Sequence, residues 1–251
     1  MKSLAKKRLD LLLVENDFFD SREKARRAVM AGKVRLGNGQ RLEKPGALLP
    51  VDSKLKVVEG ERYVSRGGLK LEGALKTFDI DPKGAICLDV GASTGGFTDC
   101  LLQHGAAKVY AIDVGTGQMA WKLRNDHRVV VREKINARFL QPNDFPDEIQ
   151  IATLDLAFIS LTLVLPPVLR LMQRGGQLLP LIKPQFELQR CDVGKGGIVR
   201  EPELHRKAVD RIRAFALNSL DVKWAGETES SIRGTDGNRE FFAWLQKQSG
   251  S

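Results

Sequence analysis

The sequence predicts an α/β domain on a mostly parallel sheet, with a small basic α+β module ahead of it. Three observations carry this reading. From about residue 85, short apolar runs alternate with helical patterns, which is how strands joined by crossover helices look in sequence. The first of those runs ends in an acidic residue and a glycine-rich turn. And charge is uneven: residues 1–60 carry 14 Lys and Arg against 8 Asp and Glu, the remaining chain 26 against 23, so two-thirds of the net +9 lies in the first quarter.

In the module, Leu9, Leu12 and Leu13 recur at helical spacing, with Lys6, Lys7 and Arg8 leading in. Asp20 or Ser21 caps a second helix, and Glu23 stands three residues after Asp20 as in a capping box. That helix stops at Gly32, and Ala25, Ala28 and Val29 mark one of its faces. Lys33-Val34-Arg35-Leu36 alternates like a short strand, Gly37-Asn38-Gly39 turns the chain, and Leu48 to Val58 offers further strand material. Residues 1–59 therefore read as two helices and a small sheet, residues 60–66 as a short link, and residues 67–251 as the larger domain.

In that domain the expected strands are Ile86–Val90, Val109–Asp113, Val129–Val131, Ile151–Asp155 and Gln177–Ile182. Helices are expected near Gly68, over Phe97–His104 and over Leu163–Met172, the last disturbed at its start by Pro166-Pro167.

Composition excludes several classes. No apolar run approaches the roughly 20 residues that cross a bilayer, and the basic N-terminus lacks a signal-peptide core. The three cysteines, Cys87, Cys100 and Cys191, have no metal-site or redox spacing, and His104, His127 and His205 are isolated, so neither a metal nor a disulfide framework is expected. A reducing cytoplasm fits best. The basic charge points to a polyanion partner, since such a surface gains free energy by releasing nucleic-acid counterions.

The chemistry concentrates in two places. In Asp89-Val90-Gly91-Ala92-Ser93-Thr94-Gly95-Gly96-Phe97-Thr98, small residues let the backbone approach a ligand, and Asp113 ends the next strand where a carboxylate accepts the hydroxyls of an adenosine ribose. The spacing is Gly-x-x-x-Gly, without the full dinucleotide fingerprint, and the strand–glycine–helix–strand–Asp arrangement resembles motifs of S-adenosylmethionine-dependent methyltransferases, with a nicotinamide cofactor as the alternative. Asn136, in Lys-Ile-Asn-Ala-Arg, is either a further cofactor contact or a loop cap. The expected cofactor residues are thus Asp89, Gly91, Ala92, Ser93, Gly95, Gly96, Phe97, Asp113 and Asn136. The second place is a set of charges at element ends: Lys70, Asp155, Lys183 and Glu240.

Arg8-Leu9-Asp10, Ser21-Arg22, Gly32-Lys33-Val34, Lys44-Pro45-Gly46 and Asp52 resemble the alpha-L RNA-binding motif of the ribosomal-protein-S-four type. That resemblance assigns RNA contacts to Arg8, Arg22, Arg26 and Lys33, with Arg66 added at the link. The four charges resemble the Lys-Asp-Lys-Glu tetrad of FtsJ-like ribose 2′-O-methyltransferases. Across the chain, Ser-Arg-Gly-Gly-Leu-Lys, Gln-Met-Ala-Trp-Lys-Leu-Arg, Phe-Ile-Ser-Leu, Ile-Lys-Pro-Gln-Phe-Glu and Gly-Asn-Arg-Glu-Phe resemble the TlyA, or hemolysin A, family of rRNA methyltransferases. Ala157, where serine is expected, and Thr116, where an aromatic residue is common, depart from the family pattern.

The resemblance implies a Rossmann-like domain that binds S-adenosylmethionine without a metal and methylates a ribose 2′-oxygen, on a cytidine of ribosomal RNA. Lys183 orients the hydroxyl and takes its proton, while Asp155 and Glu240 hold the two lysines. The competing readings are a catalytically idle RNA-binding or ribosome-assembly factor, and a membrane-active hemolysin.

Overall fold

The computed structural model describes residues 5–58, 62–234 and 236–248. The chain divides into two compact units, Met1–Arg62 and Tyr63–Ser251. The expected link is shortened by this division. Tyr63 is buried and the Val64 amide donates to Asp99 at 2.8 Å, so residues 63–66 fold with the second unit. Gly60 and Glu61 lie outside the described residues.

The first unit contains β1 (Lys6–Arg8), α1 (Leu9–Glu15), α2 (Arg22–Met30), β2 (Val34–Leu36), β3 (Leu48–Pro50) and β4 (Leu55–Val57). The basic run 6–8 is a strand and not a lead-in to the helix, because its backbone pairs antiparallel with Leu48–Pro50. The strand material after residue 48 is divided too. β3 pairs with β1 and β4 with β2, so the module holds two small sheets where one was expected. Ser21, not Asp20, caps α2, its Oγ accepting the Lys24 amide at 3.3 Å. Leu9, Leu12, Leu13, Ala25, Val29 and Val34 form the core.

The second unit runs α3 (Gly67–Phe78), β5 (Ile86–Val90), α4 (Gly96–Gln103), β6 (Lys108–Ile112), α5 (Trp121–Arg124), β7 (Val129–Arg132), β8 (Ile149–Leu154), α6 (Leu165–Leu171), β9 (Met172–Ile182), α7 (Pro184–Glu187), α8 (Pro202–Ser219), β10 (Val222–Glu229) and β11 (Phe241–Lys247). Its seven strands lie in the order β10-β11-β9-β8-β5-β6-β7. From β7 to β9 all neighbours are parallel, while β11 runs antiparallel to both β9 and β10. The two prolines of α6 sit in its first turn, where a missing amide hydrogen costs nothing, so they start the helix instead of disturbing it.

Strand pleating sends alternate residues to opposite faces. Leu88, Val90, Ala152, Leu154, Leu178 and Ile182 meet α6 and α8 in one core. Cys87, Val109, Ile151, Leu179, Leu181 and Phe242 join α3 and α4 in the other. A sheet covered on both faces needs continuous apolar strands, which is why these segments are unbroken apolar runs.

A single buried carboxylate organises the first unit. Asp10 has no exposed surface and accepts hydrogen bonds from Arg8 Nε (3.0 Å), Arg8 Nη2 (2.9 Å) and Arg22 Nε (2.9 Å). Those bonds, Arg8 foremost, hold the Asp10 carboxyl at about 2 against an ordinary 3.8, despite the opposing pull of burial. A folded-state value below the unfolded one stabilises the fold above about pH 3.8 and is lost as pH falls towards 2. Asp10→Asn should therefore lower the stability of the full chain by about 1–3 kcal/mol at pH 6. The difference from wild type should shrink progressively below pH 4, as followed by thermal melts in circular dichroism.

Candidate active site at the carboxyl ends of the strands

β5 is flanked by β6 on one side and β8 on the other, so strand order reverses there. In open α/β sheets the ligand crevice lies outside the carboxyl ends of the strands at such a point. A cleft of about 470 Å³ occupies it, bordered by Gly91, Ser93, Asp113, Gln118, Asn136 and Asp155. Gly91 (φ 82°) is left-handed, and a Cβ there would stand 2.5 Å from the Asp155 carbonyl oxygen, so both conformation and space demand glycine.

Asp113 is held from beneath by the chain itself. Its Oδ2 accepts the Ser93 amide at 2.8 Å and its Oδ1 the Gly115 amide at 2.7 Å. A carboxylate has about four acceptor positions, so two remain for the hydroxyls of a ribose. Asn136 borders the cleft and also caps a turn, its Oδ1 accepting the Arg138 amide at 3.1 Å. Gly91, Ser93, Asp113 and Asn136 thus reach the cleft.

Asp89, Ala92, Gly95, Gly96 and Phe97 do not line it. Asp89 is wholly buried under the loop, where Thr98 Oγ1 donates to Oδ2 (2.6 Å) and Thr153 Oγ1 to Oδ1 (3.2 Å). Burial pushes its carboxyl up to about 7. Phe97 packs on Phe242 with centroids 5.9 Å apart. Gly95 and Gly96 give room to Leu123 and Ser65, whose atoms would stand 2.3 and 2.2 Å from an added Cβ. These residues pack within or beneath the loop and do not border this cleft.

The four expected charges form two ion pairs. Lys70 Nζ donates to Glu240 Oε2 at 2.6 Å, with both side chains almost fully buried. Lys183 Nζ stands 2.6 Å from Asp155 Oδ1, at an angle outside that of a hydrogen bond. The sheet explains the assembly. Phe241 faces Ile182 across the antiparallel β9–β11 ladder, so Glu240 and Lys183 are the next positions beyond that rung. Asp155, Lys183 and Glu240 also share pleat parity with Ile151, Leu181 and Phe242, on the face covered by α3, which carries Lys70. The loop bearing Glu240 folds closely around it: a Cβ on Gly234 would come 2.5 Å from Glu240 Oε1.

A glycine-rich cofactor loop beside two lysine–carboxylate pairs is the arrangement of a methyltransferase, and comparison agrees. Residues 63–247 match the FtsJ-like methyltransferase family. The chain belongs to that family, in its TlyA/hemolysin A branch. It is 44% identical over 245 residues to the 16S/23S rRNA (cytidine-2′-O)-methyltransferase TlyA of Mycobacterium tuberculosis, covering 96% of this chain and 90% of that protein. It is 42% identical over 237 residues to Hemolysin A of Brachyspira hyodysenteriae, covering 94% and 98%. The N-methyltransferase NodS of Bradyrhizobium japonicum, solved with S-adenosyl-L-homocysteine, shares the fold alone: TM-score 0.51, 11% identity, 73% of this chain and 86% of that one.

Residues outside the expected set also border this cleft or brace a loop beside it. Gln118 borders the cleft and accepts from Ser93 Oγ at 3.0 Å. Phe158, left-handed at φ 63° and 92% exposed, rests on Phe186 with centroids 5.1 Å apart. Glu187 is buried and binds the Leu161 amide (2.8 Å) and Ser160 Oγ (2.6 Å), fixing the loop after β8 to α7. Their only sequence signal is membership of the Gln-Met-Ala, Phe-Ile-Ser-Leu and Pro-Gln-Phe-Glu blocks. Among the expected RNA contacts, Arg8, Arg22, Arg26 and Lys33 are exposed in the first unit, and Arg66 is exposed at the start of α3, where its Nη2 donates to the Arg233 carbonyl at 3.2 Å.

The different settings of Asp113 and Asp89 predict different variants. Asp113→Ala removes acceptors that face the cleft and should weaken S-adenosylmethionine binding roughly 10- to 100-fold by calorimetry. Asp89→Asn should change that affinity by no more than about threefold and act on stability instead. Because the raised carboxyl makes the folded state the stronger proton binder between the ordinary 3.8 and about 7, wild-type stability should fall as pH rises through that window. The Asp89→Asn variant should show a flatter profile in thermal melts across the same window.

Proposed function

We propose that this protein transfers a methyl group from S-adenosylmethionine to the ribose 2′-oxygen of a cytidine in ribosomal RNA, in the cytoplasm, with ribosomal subunits as its partners. The observation that carries the reading is two ion pairs, buried Lys70–Glu240 and half-buried Lys183–Asp155, at the carboxyl ends of the strands, with Asp155 bordering the cleft. The TlyA relative is named for this reaction. No helix among the described residues is long and apolar enough to cross a membrane, and no group of three His, Cys, Asp or Glu among them could hold a metal ion.

The cleft suits an adenosine cofactor. Asp113 offers two acceptors to the ribose, and the Gly91–Ser93 backbone leaves room for close approach. When bound, S-adenosylmethionine supplies a methyl group already activated by its sulfonium charge. The protein's task is then positioning and proton removal, and well-oriented reactants gain roughly 7–11 kcal/mol from positioning. Lys183 holds the 2′-hydroxyl and, in its neutral form, accepts the proton at Nζ. Asp155 orients Lys183, and Glu240 orients Lys70. In the first unit Asp10 fixes Arg8 and Arg22 while leaving them half exposed, which suits phosphate contacts that position the RNA without reading its sequence. Arg26, Lys33 and Arg66 extend that role.

The test is methyl transfer from radiolabelled S-adenosylmethionine to purified ribosomal subunits. Wild type should label rRNA, and Lys183→Ala should label it at least about 100-fold more slowly while binding the cofactor as wild type does. A wild type that binds cofactor yet labels neither subunit nor free rRNA overturns the reading.

A further inference from the structure

Three aromatic side chains among the described residues are more than half exposed: Trp121 (78%), Phe139 (69%) and Phe158 (92%). All three follow the carboxyl ends of parallel strands, β6, β7 and β8 in turn. The other described aromatic rings of the second unit are covered or partly covered. Phe158 borders the cleft and belongs to the site already described. Trp121 and Phe139 do not border it.

Trp121 is held rigidly. The Ala120 amide donates to the Thr94 carbonyl at 3.1 Å, and Asn125 Nδ2 donates to the Trp121 carbonyl at 2.8 Å. On either side of it, Met119 and Leu123 are buried against Gly95 of the cofactor loop. A short helix anchored by buried Leu123, with buried Met119 just before it, thus presents the largest apolar side chain to solvent. Phe139 is mounted alike, in a turn whose Ala137 and Leu140 are buried. The Arg138 guanidinium lies 5.8 Å from its ring centroid.

We infer that Trp121 and Phe139 are stacking platforms for unpaired bases of the RNA substrate, outside the catalytic cleft. This rests on the RNA-methyltransferase reading. Single aromatic rings on separate loops, one with the Arg138 guanidinium beside it, fit bases, each of which offers a π-face and sits next to a phosphate. A second protein copy would call for one continuous apolar patch. The substrate class follows: RNA whose target nucleotide has unpaired neighbours, in preference to a regular duplex.

The experiment uses the full chain and an rRNA fragment that wild type binds. Trp121→Ala and Phe139→Ala should each weaken binding of the fragment roughly 5- to 100-fold, while Trp121→Phe retains most of the affinity. Cofactor affinity should stay within about twofold in all three. Tryptophan fluorescence should be quenched by the fragment in wild type and Phe139→Ala, and the quench should disappear in Trp121→Ala. Unchanged RNA affinity in both alanine variants overturns the proposal. So does a parallel loss of cofactor affinity, which would place the effect in the cofactor loop, or a loss of self-association, which would make this face a dimer contact. If the variants lose RNA affinity but wild type transfers no methyl group, the enzymatic reading fails alone.

Discussion

The antiparallel ladder between β9 and β11 is the constraint on which the site depends. β11 enters the sheet against the direction of its neighbours, so the start of β11 meets the end of β9. Lys183 leaves the sheet where Glu240 enters it, although 57 residues separate them in sequence. A slip of one residue would turn Glu240 to the opposite face, away from Lys70. The register is fixed by packing: Phe242 is fully buried against Phe97, and Ala243 and Leu245 fill the core on the other face. The Ser230 amide closes the strand's start by donating to the Glu240 carbonyl at 2.8 Å.

Packing of that quality surrounds groups that stability alone would not select. Buried ion pairs return little more than the desolvation they cost, and apolar replacements of similar volume are often neutral or stabilising. Lys70 and Glu240 are nevertheless almost fully covered. Asp89 lies deeper still, its carboxyl driven up by burial even with two hydroxyls donating to it. Polar groups in such surroundings are retained for orientation: Asp89 anchors Thr98 of α4 and Thr153 of β8 to the same strand end, and so fixes the loop that borders the cleft.

The α/β order from β5 to β9 was legible because strands covered on both faces must be continuous apolar runs. β1 was not, since Lys-Lys-Arg has no strand pattern and is extended only because Leu48–Pro50 offers it backbone partners 40 residues away. The helix α8 and the antiparallel pair β10–β11 lie beyond the alternation and carry no glycine-rich landmark. In the site, Lys70, Asp155, Lys183 and Glu240 stood out together by their resemblance to the family's tetrad, and Lys183 also by the apolar run before it. The glycine-rich motif did not separate residues that pack the loop from those that border the cleft, because Gly96 and Phe97 serve packing while Gly91 and Ser93 line the cleft. Gln118 and Glu187 were hidden because their partners, Ser93 and Ser160, come from other loops.

The helix that carries Lys70 and the loop that borders the cleft are in contact through backbone. A Cβ on Gly96 would stand 2.2 Å from Ser65 Oγ and 3.0 Å from the Gly68 nitrogen, and one on Gly68 would stand 2.2 Å from the Tyr63 ring. The Val64 amide adds a bond to Asp99 in the first turn of α4. The start of α3 is therefore seated directly on the start of α4, with no long side chain between them to adjust. Transfer between two reactants requires their reacting atoms to be held about 3–3.5 Å apart, and small misplacements are expensive. A contact between main chains is the stiffest means available of fixing Lys70 relative to the cofactor loop. It explains why Ser-Arg-Gly-Gly-Leu-Lys and Gly-Gly-Phe-Thr-Asp, which share no chemistry as sequences, form one piece of the site.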